Sequence, residues 1–262
     1  MRMMAGTHQG LVYAGVDLAA EPARTGLAVI TGHSDQQELV IEEARLGVED
    51  GAVVEMVIAA DKTGVDVPLG WPQTFVEHVW AHSTGALTGL GTSDIAWRRS
   101  MAMRRTDLLV GERFGLRPLS VATDRIAYPA LRWTVVEARL RERGIDCVRD
   151  GSGRVCEVYP AAALRWWGLP HRGYKSTTAR AVREQIVEGL DAAFPQLDWN
   201  GFREECVVSD DVLDAVIAAL VARETRAQRT WAPDTTDHDL ALSEGWIHVP
   251  SERRKPGQSP NL

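Results

Sequence analysis

Leu11-Val-Tyr-Ala-Gly-Val-Asp17 is a short apolar run closed by an acid, and it reads as a buried strand. Working outward, a loop runs through Pro22. Thr25 to Thr31 is a second apolar stretch, ended by the turn signal Gly-His-Ser-Asp at residues 32–35. Leu39 to Leu46 gives a third candidate strand, so the chain is expected to open with an antiparallel meander of three. Residues 51–61 carry apolar side chains at 53, 54, 57 and 58, which is helical spacing. Gly64-Val-Asp-Val-Pro-Leu-Gly70 follows as a short strand that Pro68 stops. Three strands, a helix and then a fourth strand do not alternate from the start, as a Rossmann fold would.

Beyond this opening the texture changes. Residues 71–150 contain helical pieces around 74–82, 95–114 and 130–143, Gly-rich spacers at 85–91 and no convincing strand. They are expected to form a mainly helical insertion. Arg154 to Tyr159 returns to strand character and ends at Pro160. Helices are expected over 161–167 and 176–193, with Val207 to Arg223 the clearest helix of the chain. Gly245-Trp-Ile-His-Val249 reads as a last strand. The α/β core is thus assigned to 11–70 and 151–249, and residues 1–10 and 250–262 to flexible tails.

The 262 residues suit one large domain carrying an insertion, and 45% apolar content is enough for a continuous core. The apolar runs stop well short of the roughly 18 residues a membrane span needs, and the first ten residues lack a signal-peptide core. Cys147, Cys156 and Cys206 form no CxxC pair, which fits a reducing compartment. The expectation is a cytoplasmic protein with no membrane partner. A net charge of −7 argues against a basic coat for non-specific duplex binding. It leaves nucleic acid open as a partner, because an acidic metal site subtracts several charges. Of 29 basic residues only Lys62, Lys175 and Lys255 are lysines. Arginine suits bidentate phosphate contacts, and a G+C-rich genome gives the same bias.

Acids at strand ends carry the chemistry. Asp17 ends the first strand and Asp66 sits inside an otherwise apolar fourth one. Ligands of α/β sheets gather at the carboxyl ends of strands, although a lone Asp there also serves as a turn residue or helix cap. In Ser209-Asp-Asp-Val-Leu-Asp214 the pair Asp211 and Asp214 shares a helix face. Ala215, Ala218 and Ala222 lie on the same side and would let the helix approach another element closely. Asp210 and Asp211 also suit a first helical turn; Asp214, a turn further in, is either a ligand or solvent-facing. Clustered carboxylates repel, and burying them is costly unless a cation compensates. Hard oxygen donors without a Cys or His set select Mg²⁺ or Mn²⁺ over zinc.

The order strand-Asp17, meander, helix, strand-Asp66, then Asp211-x-x-Asp214 on a late helix resembles the ribonuclease H-like superfamily. Its Holliday-junction-resolvase branch also carries two acids three apart on the final helix. More closely, the chain is similar to the domain-of-unknown-function family numbered 429, described as predicted nucleases of ribonuclease H fold. The matching stretches are Gly15-Val-Asp-Leu-Ala, Gly64-Val-Asp-Val-Pro-Leu-Gly-Trp-Pro, Arg105-Thr-Asp107 and Glu157-Val-Tyr-Pro. They continue with Tyr174-Lys175, Asp211-Val-Leu-Asp-Ala and Glu244-Gly-Trp-Ile, spanning roughly 11–250. The resemblance implies a ribonuclease H-like mixed sheet, three antiparallel strands and then parallel ones, flanked by helices with a helical insertion. Position 66 is Asp where the resolvase branch typically has Glu, a shorter reach.

Four further residues are candidate accessories. Glu157 ends the strand expected beside Asp66 and is either an extra ligand or structural. Arg105 and Asp107 form an internal ion pair, or Arg105 contacts phosphate; Lys175 has the same two readings. Arg98, Arg99, Arg104 and Arg105 lie close together and face either nucleic acid or solvent. Other signals fail: the Gly85–Gly91 spacers do not fit GxGxxG, His78 and His82 lack the Glu of HExxH, and no GxSxG occurs. Trp166-Trp167 suits base stacking less well than core packing.

The leading expectation is a metal-dependent nuclease that hydrolyses the phosphodiester bonds of DNA or RNA. Asp17, Asp66, Asp211 and Asp214 would hold Mg²⁺ or Mn²⁺ and carry the catalysis. The alternative is a catalytically silent ribonuclease H-like binding or regulatory module. An actin-like kinase needs two copies of the fold, which 262 residues do not hold.

Overall fold

A computed structural model of the chain describes residues 10–32, 38–89 and 91–253. Strands β1 (Leu11–Asp17), β2 (Gly26–Gly32) and β3 (Leu39–Leu46) form the antiparallel meander. Of the turn signal between β2 and β3, residues 33–35 lie outside the described residues, as do 1–9 and 254–262 of the assigned tails. Helix α1 (Asp50–Ala59) returns the chain so that β4 (Lys62–Asp66) lies parallel to β1.

The next stretch is helical: α2 (Gln73–Ser83), α3 (Ile95–Ala102), α4 (Arg105–Phe114) and α5 (Ala127–Glu142). Strand β5 (Val155–Val158) then pairs in parallel with β4. Helices α6 (Pro160–Trp166) and α7 (Arg180–Ala193) precede β6 (Leu197–Asp198), which pairs in parallel with β3 at the far edge. The chain closes with α8 (Arg203–Val208), α9 (Asp210–Arg226), α10 (His238–Glu244) and β7 (Ile247–His248). The sheet order is β6-β3-β2-β1-β4-β5-β7. Three antiparallel strands followed by parallel ones make this the ribonuclease H-like mixed sheet. None of its helices is long and apolar enough to cross a membrane, among the described residues.

Period-2 alternation sends successive residues of β1 to opposite faces. Tyr13 joins a core layer with α7 and α9, and Val16 joins one with α1 and α5. The helix expected over 207–223 is two helices, because Ser209 takes an extended conformation and its side chain accepts a hydrogen bond from Val212 N. That is an N-cap, which starts a new helix rather than continuing an old one.

Helix α9 lies in the middle of the protein, with Asp211 through Thr225 all buried. A Cβ on Gly15 would fall 1.9 Å from the Ala215 carbonyl oxygen, one on Gly64 2.3 Å from that of Ala218, and one on Gly26 2.2 Å from that of Asp211. Glycine on three neighbouring strands therefore seats the helix backbone directly on the sheet backbone. Ala215 and Ala218, two of the three alanines expected to allow close approach, form the other half of the contact at Gly15 and Gly64.

The helical stretch is not one uniform cover. Among its residues, α5 buries Trp133, Val136 and Leu140 at i, i+3, i+7 spacing against α1 and the sheet, so it is part of the core. Helices α2 and α3 bury nothing, with Trp80 71% and Ile95 76% exposed. The run expected to be helical over 95–114 breaks between Ala102 and Arg105. There Arg104 turns inward to 1% exposure while Arg98 and Arg99 stay exposed, so the four arginines share no surface. Trp167 is buried edge-on against Phe194, and Trp166 packs edge-on against Phe114 and Trp231, which are core contacts.

Candidate metal centre

Asp17 and Asp66 are register partners at the carboxyl ends of parallel β1 and β4, and Gly15 and Gly64 are partners one pleat earlier. Side chains two residues apart share a face, so both acids emerge on the face where α9 sits. Asp214 immediately precedes Ala215, whose carbonyl rests over Gly15. The backbone contact thus delivers a third carboxylate to the same point. One oxygen from each of Asp17, Asp66 and Asp214 lies within 4.8 Å of the others.

Burial and mutual repulsion act on all three. Burial raises Asp17 well above the usual carboxylate range, and the Asp66 and Asp214 charges add to it. Asp66 is pushed up to about 7, chiefly by burial, with Lys175 opposing and Asp214 and Glu157 reinforcing. Asp214 is raised by burial, against the pull of Lys175 and Tyr174. Among the described residues, no hydrogen bond to the carboxylate of Asp17 or Asp66 contributes to these shifts. Asp214, 0% exposed, has two partners: the Tyr174 hydroxyl donates to Oδ1 at 2.9 Å, and Lys175 Nζ lies 2.6 Å from Oδ2.

This donor set fits a hard divalent cation. The three converging ligands are carboxylates, with no thiol or imidazole among them, which is the chemistry of Mg²⁺ or Mn²⁺. Two of them lack any other source of positive charge at hydrogen-bond distance.

Asp211 does not join the group. It lies near the start of α9, and Arg24 from the β1–β2 connection pairs with it through both carboxylate oxygens, at 2.7 and 3.0 Å. Glu157 also turns elsewhere. Its Oε1 and Oε2 accept from Arg104 at 2.6 and 2.8 Å, and Oε2 also accepts from Leu69 N. The expected Arg105–Asp107 pair is replaced by its neighbour: Arg104 Nη2 donates to Asp107 Oδ1 at 2.8 Å. Arg105 pairs instead with Asp237, 2.7 Å away. The reason is helix phase. Arg104 stands just before the first turn of α4, where Asp107 also caps its backbone N–H, while Arg105 begins the helix and points away. Lys175 forms an ion pair, with Asp214.

Sequence reasoning assigned no role to Tyr174, Arg24 or Arg183. The Arg183 guanidinium is buried and donates to the backbone carbonyls of Tyr174 and Ser176, which fixes the loop that carries Lys175. A Tyr beside the rare Lys was the one available signal; the partners of Arg24 and Arg183 are set by long-range packing.

A family model described as "Protein of unknown function (DUF429)" matches residues 15–238. The chain belongs to the DUF429 family. The matched span takes in Asp17, Asp66, Lys175, Asp211 and Asp214 of this DUF429 protein. No curated protein and no solved structure matches it.

Proposed function

We propose that this DUF429 protein is a metal-dependent nuclease that hydrolyses phosphodiester bonds of DNA or RNA. The observation that carries the reading is the convergence of Asp17, Asp66 and Asp214 at the carboxyl ends of β1 and β4. Asp17 and Asp66 hold Mg²⁺ or Mn²⁺ from the sheet and Asp214 from the helix. The bound cation supplies the Lewis acidity for attack of water on phosphorus and departure of the leaving oxygen. Tyr174 fixes the rotamer of Asp214 by its hydrogen bond to Oδ1. Lys175 is 53% exposed at the rim, a cation placed for an incoming phosphate. Asp211, held by Arg24, borders the site without lining it. Three buried free thiols support a reducing compartment, which we take to be the cytoplasm.

The Lys175–Asp214 pair also favours a second reading, a catalytically silent binding or regulatory module. An internal cation already offsets part of the acidic charge, so the fold can stand without a metal. One experiment separates the two. Single- and double-stranded DNA and RNA are incubated with wild type and Asp17→Asn, with Mg²⁺, with Mn²⁺ and with chelator. Cleavage that requires the cation and disappears in Asp17→Asn supports the nuclease. Nucleic-acid binding that is indifferent to both cation and substitution supports the silent module.

A further inference from the structure

We propose that Lys175 is a displaceable internal counter-ion, which gives up Asp214 when a divalent cation enters the acidic triad. This rests on the metal-centre reading above. Asp214 has two oxygens and they are held differently. Oδ1 accepts from Tyr174, whose ring is 2% exposed and whose backbone carbonyl is clamped by the buried Arg183 guanidinium. That contact is fixed on both sides. Oδ2 lies 2.6 Å from the Nζ of Lys175, whose side chain is 53% exposed, with the Tyr174 hydroxyl farther off at 3.3 Å. The Tyr174 ring centroid is 5.7 Å from Nζ.

A rigid backbone with a long, half-solvated side chain is the arrangement of a group that can leave without disturbing its loop. Lysine is suited to this: its ammonium is a strongly hydrated point charge on a flexible stem, at little cost in water. A cation bound by the triad also takes an oxygen of the Asp214 carboxylate. Lysine and metal therefore compete for one carboxylate. The binding-competent protein is the fraction in which the lysine has let go, and the apparent metal affinity falls by that fraction.

The lysine content makes displacement directly observable. Lys62 is buried on the Gly151 and Gly153 carbonyls, and Lys255 is the only other lysine besides Lys175. In wild-type protein labelled with ¹³C at lysine Cε, Mg²⁺ should move and sharpen the Lys175 resonance and leave that of Lys62 in place. Calorimetry should show Lys175→Met binding Mn²⁺ about tenfold more tightly than wild type, as expected if the free fraction is about a tenth. Lys175→Arg, which keeps the competing charge, should stay near wild type. A Lys175 resonance unmoved by saturating Mg²⁺ overturns the proposal and leaves the metal centre standing, as does equal Mn²⁺ affinity in wild type and Lys175→Met. No divalent binding by either protein overturns the metal centre and this proposal together.

Discussion

The Asp17 and Asp66 carboxylates are buried without a direct ion-pair partner among the described residues, while Asp214 shares its charge with Tyr174 and Lys175. That difference decides which substitution reports on the cluster most cleanly. Asp214→Asn would remove repulsion and also lose the ion pair with Lys175. Asp17→Asn removes repulsion alone, so it should raise the stability of the metal-free protein by about 1–2 kcal/mol, within the usual range of single substitutions. In wild type, Mn²⁺ at a hundredfold excess over its Kd should add about 2.7 kcal/mol, a gain the variant should lack. Thermal melts with chelator and with Mn²⁺ check both. A variant that melts below wild type without metal would mean that Asp17 is stabilised where it stands.

Between elements, the link that matters most is Arg104. It sits just before α4 and holds Asp107 on that helix, Glu157 on β5 and the carbonyl of Glu244 at the end of α10. The Glu244 carboxylate in turn accepts from the backbone N–H groups of Gln73 and Arg105. Arg104→Met would leave two buried carboxylates unpaired and should cost about 3–5 kcal/mol, read by denaturant unfolding. Substituting Glu157→Gln as well should recover part of the loss, since one orphaned charge disappears.

The same network shows where the sequence was readable. The strands carrying Asp17 and Asp66 were legible because a short apolar run and an acid at or near its end are local signals. Asp214 was legible from its spacing to Asp211. The fates of Asp211, Glu157 and Arg105 were not, because each depends on a partner tens of residues or more away: Arg24, Arg104 and Asp237. Strand β6 is two residues long and exists because β3 offers it an edge, so no periodicity announces it. The double role of α5, helical like its neighbours yet part of the core, came from tertiary packing rather than composition.

For the whole molecule, pH sets two opposed trends. His248 is buried, hydrogen-bonded to the Asp150 carbonyl and the Thr230 hydroxyl, and burial lowers it from the usual 6.5 to about 4. The unfolded chain takes up that proton first, so this stabilisation is complete above pH 6.5 and is lost as pH falls towards 4. A shift of that size is worth about 3 kcal/mol. Asp66 runs the other way: raised to about 7, it favours the folded state at low pH and loses that contribution as pH rises through 7. The Asp66 contribution is complete below about pH 4 and is lost between there and pH 7, so in metal-free protein these two groups offset each other from about pH 4 to 6.5. His248→Gln should uncover the Asp66 trend as a fall in stability between about pH 4 and 7. Mn²⁺ should abolish that fall, because cations bind the deprotonated acids. Chemical unfolding across pH 4–9 tests all three.

On the proposed metal-centre reading, the seating of α9 on Gly15, Gly26 and Gly64 would make the opening between the acids a gauge of ionic radius. Helix backbone meets sheet backbone directly at these three glycines, so the aperture would resist stretching towards the 2.3–2.6 Å bonds and six to eight ligands that Ca²⁺ takes, whereas Mg²⁺ is content at 2.0–2.1 Å. Calorimetry should find Mg²⁺ and Mn²⁺ preferred to Ca²⁺. Gly64→Ala, whose methyl would fall 2.3 Å from the Ala218 carbonyl oxygen, must lift the helix. It should widen the gauge, weaken Mg²⁺ more than Ca²⁺ and cost about 1–3 kcal/mol of stability. Val57→Ala, in the core layer on the opposite face of the sheet, should cost a similar amount and leave the ratio of the two ions unchanged.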